Sequence, residues 1–230
     1  MRFPSLKNLR QSTIGRQSKP ERDQRTSAFT LMEMLVVITV IGVLFAFSAP
    51  QLFSLIQASS ITSAGSLLRN KLSQAQQIAL SKSIDVEVRF FKFSDESAAA
   101  LDEEIRGFQF FQYDEEGVEQ PVSQFFRVQA PVIISTSPKL STLLQPGSGG
   151  SSPMKGKYEI PRSSGMGKES ADYVSFRFRP DGSTDLPGKS GNDTWHITLV
   201  KEKSDTGGAP DNFYTVQIDS YNGKITEYRP

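Results

Sequence analysis

An α+β architecture, a long N-terminal helix leading into an antiparallel β-rich domain, is predicted by three observations on this 230-residue chain. An uninterrupted apolar run covers residues 29–49, a stripe of apolar residues at steps of three and four continues to residue 82, and from Ser83 onward the period drops to two. A hydrophobic fraction of 37% is enough to build a core and 22% charged residues is ordinary, so collagen-like, purely coiled-coil and wholly disordered classes are excluded. Cysteine is absent and His196 is the single histidine, which removes disulfide frameworks, thiolate metal sites, Cys nucleophiles and histidine-rich metal centres.

The formal charge of +1 conceals an asymmetry. Residues 1–28 carry seven Lys/Arg against Glu21 and Asp23, a balance of +5, while the remaining 19 basic and 23 acidic residues leave −4. A basic tail followed directly by an apolar run is topogenic: the cations stay on the cytoplasmic side and the apolar helix enters the bilayer.

From Phe29 to Ala49 the run FTLMEMLVVITVIGVLFAFSA contains twenty-one residues with one charge, Glu33. A helix of that length spans roughly 30 Å, the thickness of a bilayer core. A secretory signal peptide is one alternative, with the basic tail as its n-region and Ala46-Phe47-Ser48 before the cut. The run is longer than an ordinary signal-peptide core, and helix-forming sequence continues past Pro50. A plain anchor is the other alternative, and it leaves the acid five residues into the run unexplained. A carboxylate in an apolar segment is costly and calls for a partner. The positive end of a helix N-terminus is one, and a free α-ammonium created by a cut before Phe29 is a better one.

The string Ala28-Phe29-Thr30-Leu31-Met32-Glu33-Met34-Leu35-Val36-Val37-Ile38 resembles the processing motif of type IV prepilins and type II secretion pseudopilins. Pro50 falls where that family often has a helix-bending proline. The resemblance implies that a prepilin peptidase removes residues 1–28 and methylates the new amino terminus at Phe29. It implies that Glu33 pairs with the terminal amine of a neighbouring subunit, setting the register of a fibre. The family has Gly before the cut; Ala28 stands there in this chain, which points to slower cleavage.

Beyond Pro50, the residues Ile61, Ala64, Leu68, Leu72, Ala75 and Ala79 mark one face of an amphipathic helix reaching residue 82, with a bend expected at Pro50. Ile84, Val86, Val88 and Phe90 then alternate with Asp85, Glu87 and Arg89, a half-buried strand with a register shift expected near Phe90-Phe91. Further strands are expected at 108–113, 125–128, 132–134, 174–179, 195–200, 213–219 and 224–228. Eight of the sixteen Phe lie between positions 90 and 126, the expected core of this sheet. Asn222-Gly223 signals a hairpin and Asp181-Gly182 a turn. Residues 135–171, rich in Ser, Gly, Pro and Lys, are expected to be a flexible solvated loop. A phosphate-binding GxxxxGK fails there, because Ser151 and Arg162 occupy the positions that need Gly.

The stretch Val174–Gly182, the strand at 195–200 and the closing TVQIDSYNGKITEY resemble the ending of GspH/FimT-type minor pseudopilins, and QAQQIALSKSIDVEV at 74–88 resembles their helix end and first strand. The leader and the final Tyr228-Arg229-Pro230 are similar to a pilin-like family of clustered cassettes in Verrucomicrobia-type bacteria, the cassette protein D family. The expected organisation is a basic cytoplasmic leader (1–28), a transmembrane or fibre-core helix (29–49), an amphipathic continuation (50–82) and an extracytoplasmic β-rich domain (83–230).

No catalytic role is expected. The runs Asp102-Glu103-Glu104 and Asp114-Glu115-Glu116 read as solvated loops, and His196, between Trp195 and Ile197, reads as an exposed strand residue. Ser204–Asn212 has the oxygen-rich composition calcium prefers, but the resemblance is to the minor class, so no metal and no cofactor are expected. Nucleic acid is not expected as a partner either. Residues 171–230 are net acidic, and only a local grouping of Arg177, Arg179, Lys201 and Lys203 would reverse that. The expected partners are the prepilin peptidase, other pilin or pseudopilin subunits, the inner membrane and the assembly platform. The alternative function is a membrane-anchored extracytoplasmic binding module that does not assemble, its β-domain recognising a secreted substrate, DNA or a surface polymer.

Overall fold

The computed structural model describes residues 29–94, 103–147, 151–162, 164–188, 194–202 and 210–230, with the side chains of 48–57 left out. The chain divides into two compact units, residues 1–47 and 48–230.

One helix, α1 (Leu31–Lys82), runs through both units. The backbone is helical at Pro50, but the bend expected there depends on residues whose side chains lie outside the described set. The helix starts at Thr30, whose carbonyl accepts the first α-helical hydrogen bond from the Met34 amide at 3.1 Å. It stops at Ser83, which takes a left-handed conformation at φ 56° and lets the Ile84 amide reach back to the Ala79 carbonyl at 3.2 Å. That closes the last turn in the manner of a Schellman motif, with serine where glycine is usual.

Among its described residues, the second unit adds to the helix a ten-stranded antiparallel sheet. In chain order the strands are β1 (Val86–Phe93), β2 (Glu104–Tyr113), β3 (Glu119–Pro121), β4 (Phe126–Arg127), β5 (Val132–Ile134), β6 (Met154–Pro161), β7 (Lys168–Phe178), β8 (Trp195–Lys201), β9 (Tyr214–Ile218) and β10 (Ile225–Tyr228). The spatial order is β10-β9-β8-β5-β2-β1-β7-β6, and β3 and β4 also pair with β2. One edge of β2 is therefore shared by β5, β4 and β3 in turn. The β1–β2 register shifts between Phe91 and Lys92, one residue from where alternation suggested.

Ile61, Leu68, Leu72, Ala75 and Ala79 are buried and Ala64 is partly buried, packed with Val86, Val88, Phe90, Phe108, Phe110 and Phe176 from the sheet. The expected helical stripe is thus the core face. On this face Gly65 lies against the Tyr214 ring, where an added Cβ would sit 2.2 Å from Cγ. Gln76 Nε2 donates to the Gly182 carbonyl at 2.9 Å and to the Asn222 carbonyl at 3.0 Å, holding both predicted turns against the helix.

Two expectations are corrected. Residues 135–171 are not a solvated loop: they contain a 3-10 turn at Thr142–Leu144, the strand β6 and the start of β7. β5 pairs with only three residues of β8, from Leu199 to Lys201. The open edge that this leaves on β8 is satisfied by side chains, with Ser141 Oγ accepting from the Thr198 amide at 3.0 Å and Thr142 Oγ1 from the His196 amide at 3.0 Å. The serines and threonines thus serve backbone groups rather than solvent. Similarly, β1 is buried on both faces, because Phe91, Phe93, Phe111, Ile160 and Ala171, with Phe125, Tyr158 and Tyr173 against them, form a second cluster. Glu87 and Arg89, expected to face solvent, are buried beside it.

Candidate functional site

The first unit presents the site. Side chains of Leu31–Phe47 are exposed around the whole circumference of α1, with Leu31 92%, Phe45 70% and Phe47 75% exposed. A helix apolar on every side is stable only when covered on every side, by lipid or by other protein. The described side chains of this run end at Phe47, and among the described residues no helix is long and apolar enough to cross a membrane. The one hydroxyl deep in the run, on Thr39, donates to the Leu35 carbonyl at 2.7 Å and so presents no unsatisfied donor to an apolar surrounding.

At the front of the run Thr30 is the N-cap: its Oγ1 accepts from the Glu33 amide at 3.2 Å. Thr30-Leu31-Met32-Glu33 has the spacing of a capping box, which puts the Glu33 carboxylate in the first turn, where the helix dipole favours an anion. Phe29 precedes the cap and is 67% exposed. Ala28 lies outside the described residues, as do Lys203 and most of Ser204–Asn212.

Among the described residues, the remaining candidates do not converge on a reaction centre. His196 is half-buried rather than exposed, its Nδ1 3.2 Å from both Thr142 Oγ1 and the Thr194 carbonyl. Asp114 folds its own turn, its carboxylate accepting from the amides of Glu116 and Val118. Arg177 lies on β7 and Lys201 on β8, separated in the sheet by β5, β2 and β1, so these two of the basic residues considered for DNA are not on adjacent strands. Arg177 stacks over the Tyr113 ring at 4.8 Å. Among the described residues no group of three or more His, Asp or Glu gathers to hold a metal.

Sequence reasoning missed an ion network in the second cluster. Arg89 donates to Glu87 at 3.0 Å, to Glu119 at 2.6 Å and to the Tyr113 hydroxyl at 3.1 Å, and Tyr113 in turn donates to Glu87. The guanidinium lies over Phe111 at 4.2 Å and Tyr173 at 4.5 Å. Burial opposes the charge on Glu87, but hydrogen bonds from Arg89, Tyr113 and Ser175 outweigh it and hold the carboxyl below its ordinary range. Burial and the Glu87 carboxylate together push the Tyr113 phenol up. Every partner is internal to the domain, which is the organisation of a buried structural network.

Residues 23–49 match the family described as the prokaryotic N-terminal methylation motif. No curated protein sequence matches the chain. Among solved structures, the type IV minor pilin FimU of Pseudomonas aeruginosa aligns at 13% identity over 75% of this chain and 93% of its own, with a TM-score of 0.42. The minor pseudopilin EpsH from the type 2 secretion system of Vibrio cholerae aligns at 9% identity over 74% of this chain and 98% of its own, with a TM-score of 0.40. The processing motif read from Ala28–Ile38 is borne out: residues 23–49 carry the prokaryotic N-terminal methylation motif, at the head of an α+β protein.

Proposed function

We propose that the chain is a pseudopilin or minor pilin subunit. A prepilin peptidase cuts between Ala28 and Phe29 and methylates Phe29; the helix is held in the inner membrane, leader inside and β-domain outside. The assembly platform then joins it to other pilin or pseudopilin subunits in a type II secretion or type IV pilus-like fibre. The role is structural rather than enzymatic. The observation that carries this reading is the all-round apolar exposure of Leu31–Phe47 directly behind a matched methylation motif.

The physical chemistry of assembly follows from that segment. Burying each large apolar side chain gains roughly 1.5–3 kcal/mol over leaving it in water, so the helix is never left in water. Passage from bilayer to fibre brings no comparable gain, because lipid tails are as apolar as leucine. Register must then come from a polar contact. The cut leaves a cationic amine at Phe29, four residues before Glu33. In the fibre the carboxylate of one subunit pairs with the amine of the next, which limits the cost of burying either charge. Pro50 separates the apolar run of the sequence from the part of the helix that packs on the sheet.

The test is Glu33→Ala in the native host. Insertion and cleavage are expected to continue while incorporation into fibres falls about tenfold or more, in line with the cost of leaving one member of a buried pair alone. Unchanged incorporation contradicts the pairing, and an uncut but membrane-held chain supports an anchored binding module instead.

A further inference from the structure

The helix-facing side of β1, β7 and β6 carries an open pocket of about 500 Å³ that no part of the assembly account uses. Its apolar lining comes from Phe90, Ile105, Leu144, Pro146 and Val174. Strand register fixes the charges on the same face. Lys92 is opposite Asp172 and Asp172 is opposite Lys157, while in the next row Phe90 is opposite Val174 and Val174 is opposite Lys155. Asp172 is engaged by Lys157 at 3.5 Å. Among the described residues Lys92 and Lys155 have no ion-pair partner, and both are exposed at the pocket. An apolar hollow rimmed by three lysines against the single Asp172, with Lys92 and Lys155 flanking β7 from either side, favours a ligand whose apolar body ends in an anion, and the volume falls in the range of small-molecule sites.

We infer that this pocket binds an apolar group terminated by a carboxylate, its body against Phe90, Ile105, Leu144 and Val174 and its carboxylate held by Lys92 and Lys155. A free alkyl acid and the apolar C-terminus of a peptide share that chemistry. The 3-10 turn that supplies Leu144 thereby gains a role beyond closing the β8 edge: it forms one wall of the pocket.

The experiment uses the full chain in zwitterionic lipid nanodiscs, with methyl NMR signals of Ile105, Leu144 and Val174 as reporters inside the pocket. Octanoate and octanol test the alkyl source; N-acetyl-Leu-Phe with a free carboxylate and its C-terminal amide test the peptide source. At least one acid is expected to shift the three methyls saturably, and its neutral counterpart to bind about three- to tenfold more weakly. Whichever acid binds identifies the source. The paired substitutions Lys92→Gln and Lys155→Gln, at exposed positions that leave the core untouched, are expected to erase the preference for the acid without changing the affinity of the neutral probe. Absence of saturable shifts with both acids, equal binding of acid and neutral forms, or an acid preference that survives loss of both lysines overturns the proposal.

Discussion

Gly65 of the helix lies against the ring of Tyr214 from β9, so close that a methyl group on Gly65 would sit 2.2 Å from the ring carbon Cγ. The contact leaves no room for a side chain on the helix at this point. The Tyr214 hydroxyl donates to Glu227, Arg69 reaches the same carboxylate at 3.4 Å, and Arg229 lies over the ring at 5.8 Å. The ring therefore cannot swing aside freely.

Gly65→Ala is expected to destabilise the β-domain by about 1–3 kcal/mol, although alanine is the better helix former, because the added methyl overpacks the contact. Thermal unfolding of the single variant and of Gly65→Ala with Tyr214→Ala checks this. The second change should make the alanine tolerated, measured against Tyr214→Ala alone.

The Arg89 network gives the domain an acid limb. The Glu87 carboxyl is held below its ordinary value of 4.5 in the folded state, so its contribution is fully present above that pH and is lost as pH falls through the lower folded value. Glu87→Gln should flatten the dependence of stability on pH below about 4.5 in denaturant titrations. Arg89→Ala leaves two carboxylates facing a buried site without their cation and should cost about 3–5 kcal/mol at neutral pH. Tyr113, raised above its ordinary value of 10.0, predicts a second loss of stability as pH rises past that value, which Tyr113→Phe should remove.

Ala28 stands where glycine precedes the cut in the resembling family. Ala28→Gly is expected to raise the rate at which leader is removed by several-fold in a pulse-chase, with the same mature amino terminus. An unchanged rate means that the alanine is no impediment to the peptidase.

The helix was the most legible part of the sequence. Ile61, Leu68, Leu72, Ala75 and Ala79 recur at helical steps and all five are buried, because the packing of α1 depends on a local period. The methylation motif that spans Phe29, Thr30 and Glu33 was legible for the same reason, as a run of neighbours. Glu87 and Arg89 were not. Their alternation with Val86 and Val88 is that of a strand with one wet face, and only the pairing of β7 and β6 beside β1 brings Tyr173 and Tyr158 over that face. The segment 135–147 misled for a related reason. Its serines and threonines look solvated until β5 ends short and leaves β8 amides for Ser141 and Thr142 to satisfy. The pocket is a product of the same long-range pairing, since Lys92, Asp172 and Lys157 are distant in sequence and form one row only across three strands.

The central claim is that the chain enters the prepilin pathway, and the intact mass and N-terminal peptide mass of the membrane-extracted protein from its native host test it most directly. The account predicts a mature chain beginning at Phe29 and heavier by one methyl group. A chain beginning at Ala49, or one that keeps residues 1–28, contradicts it.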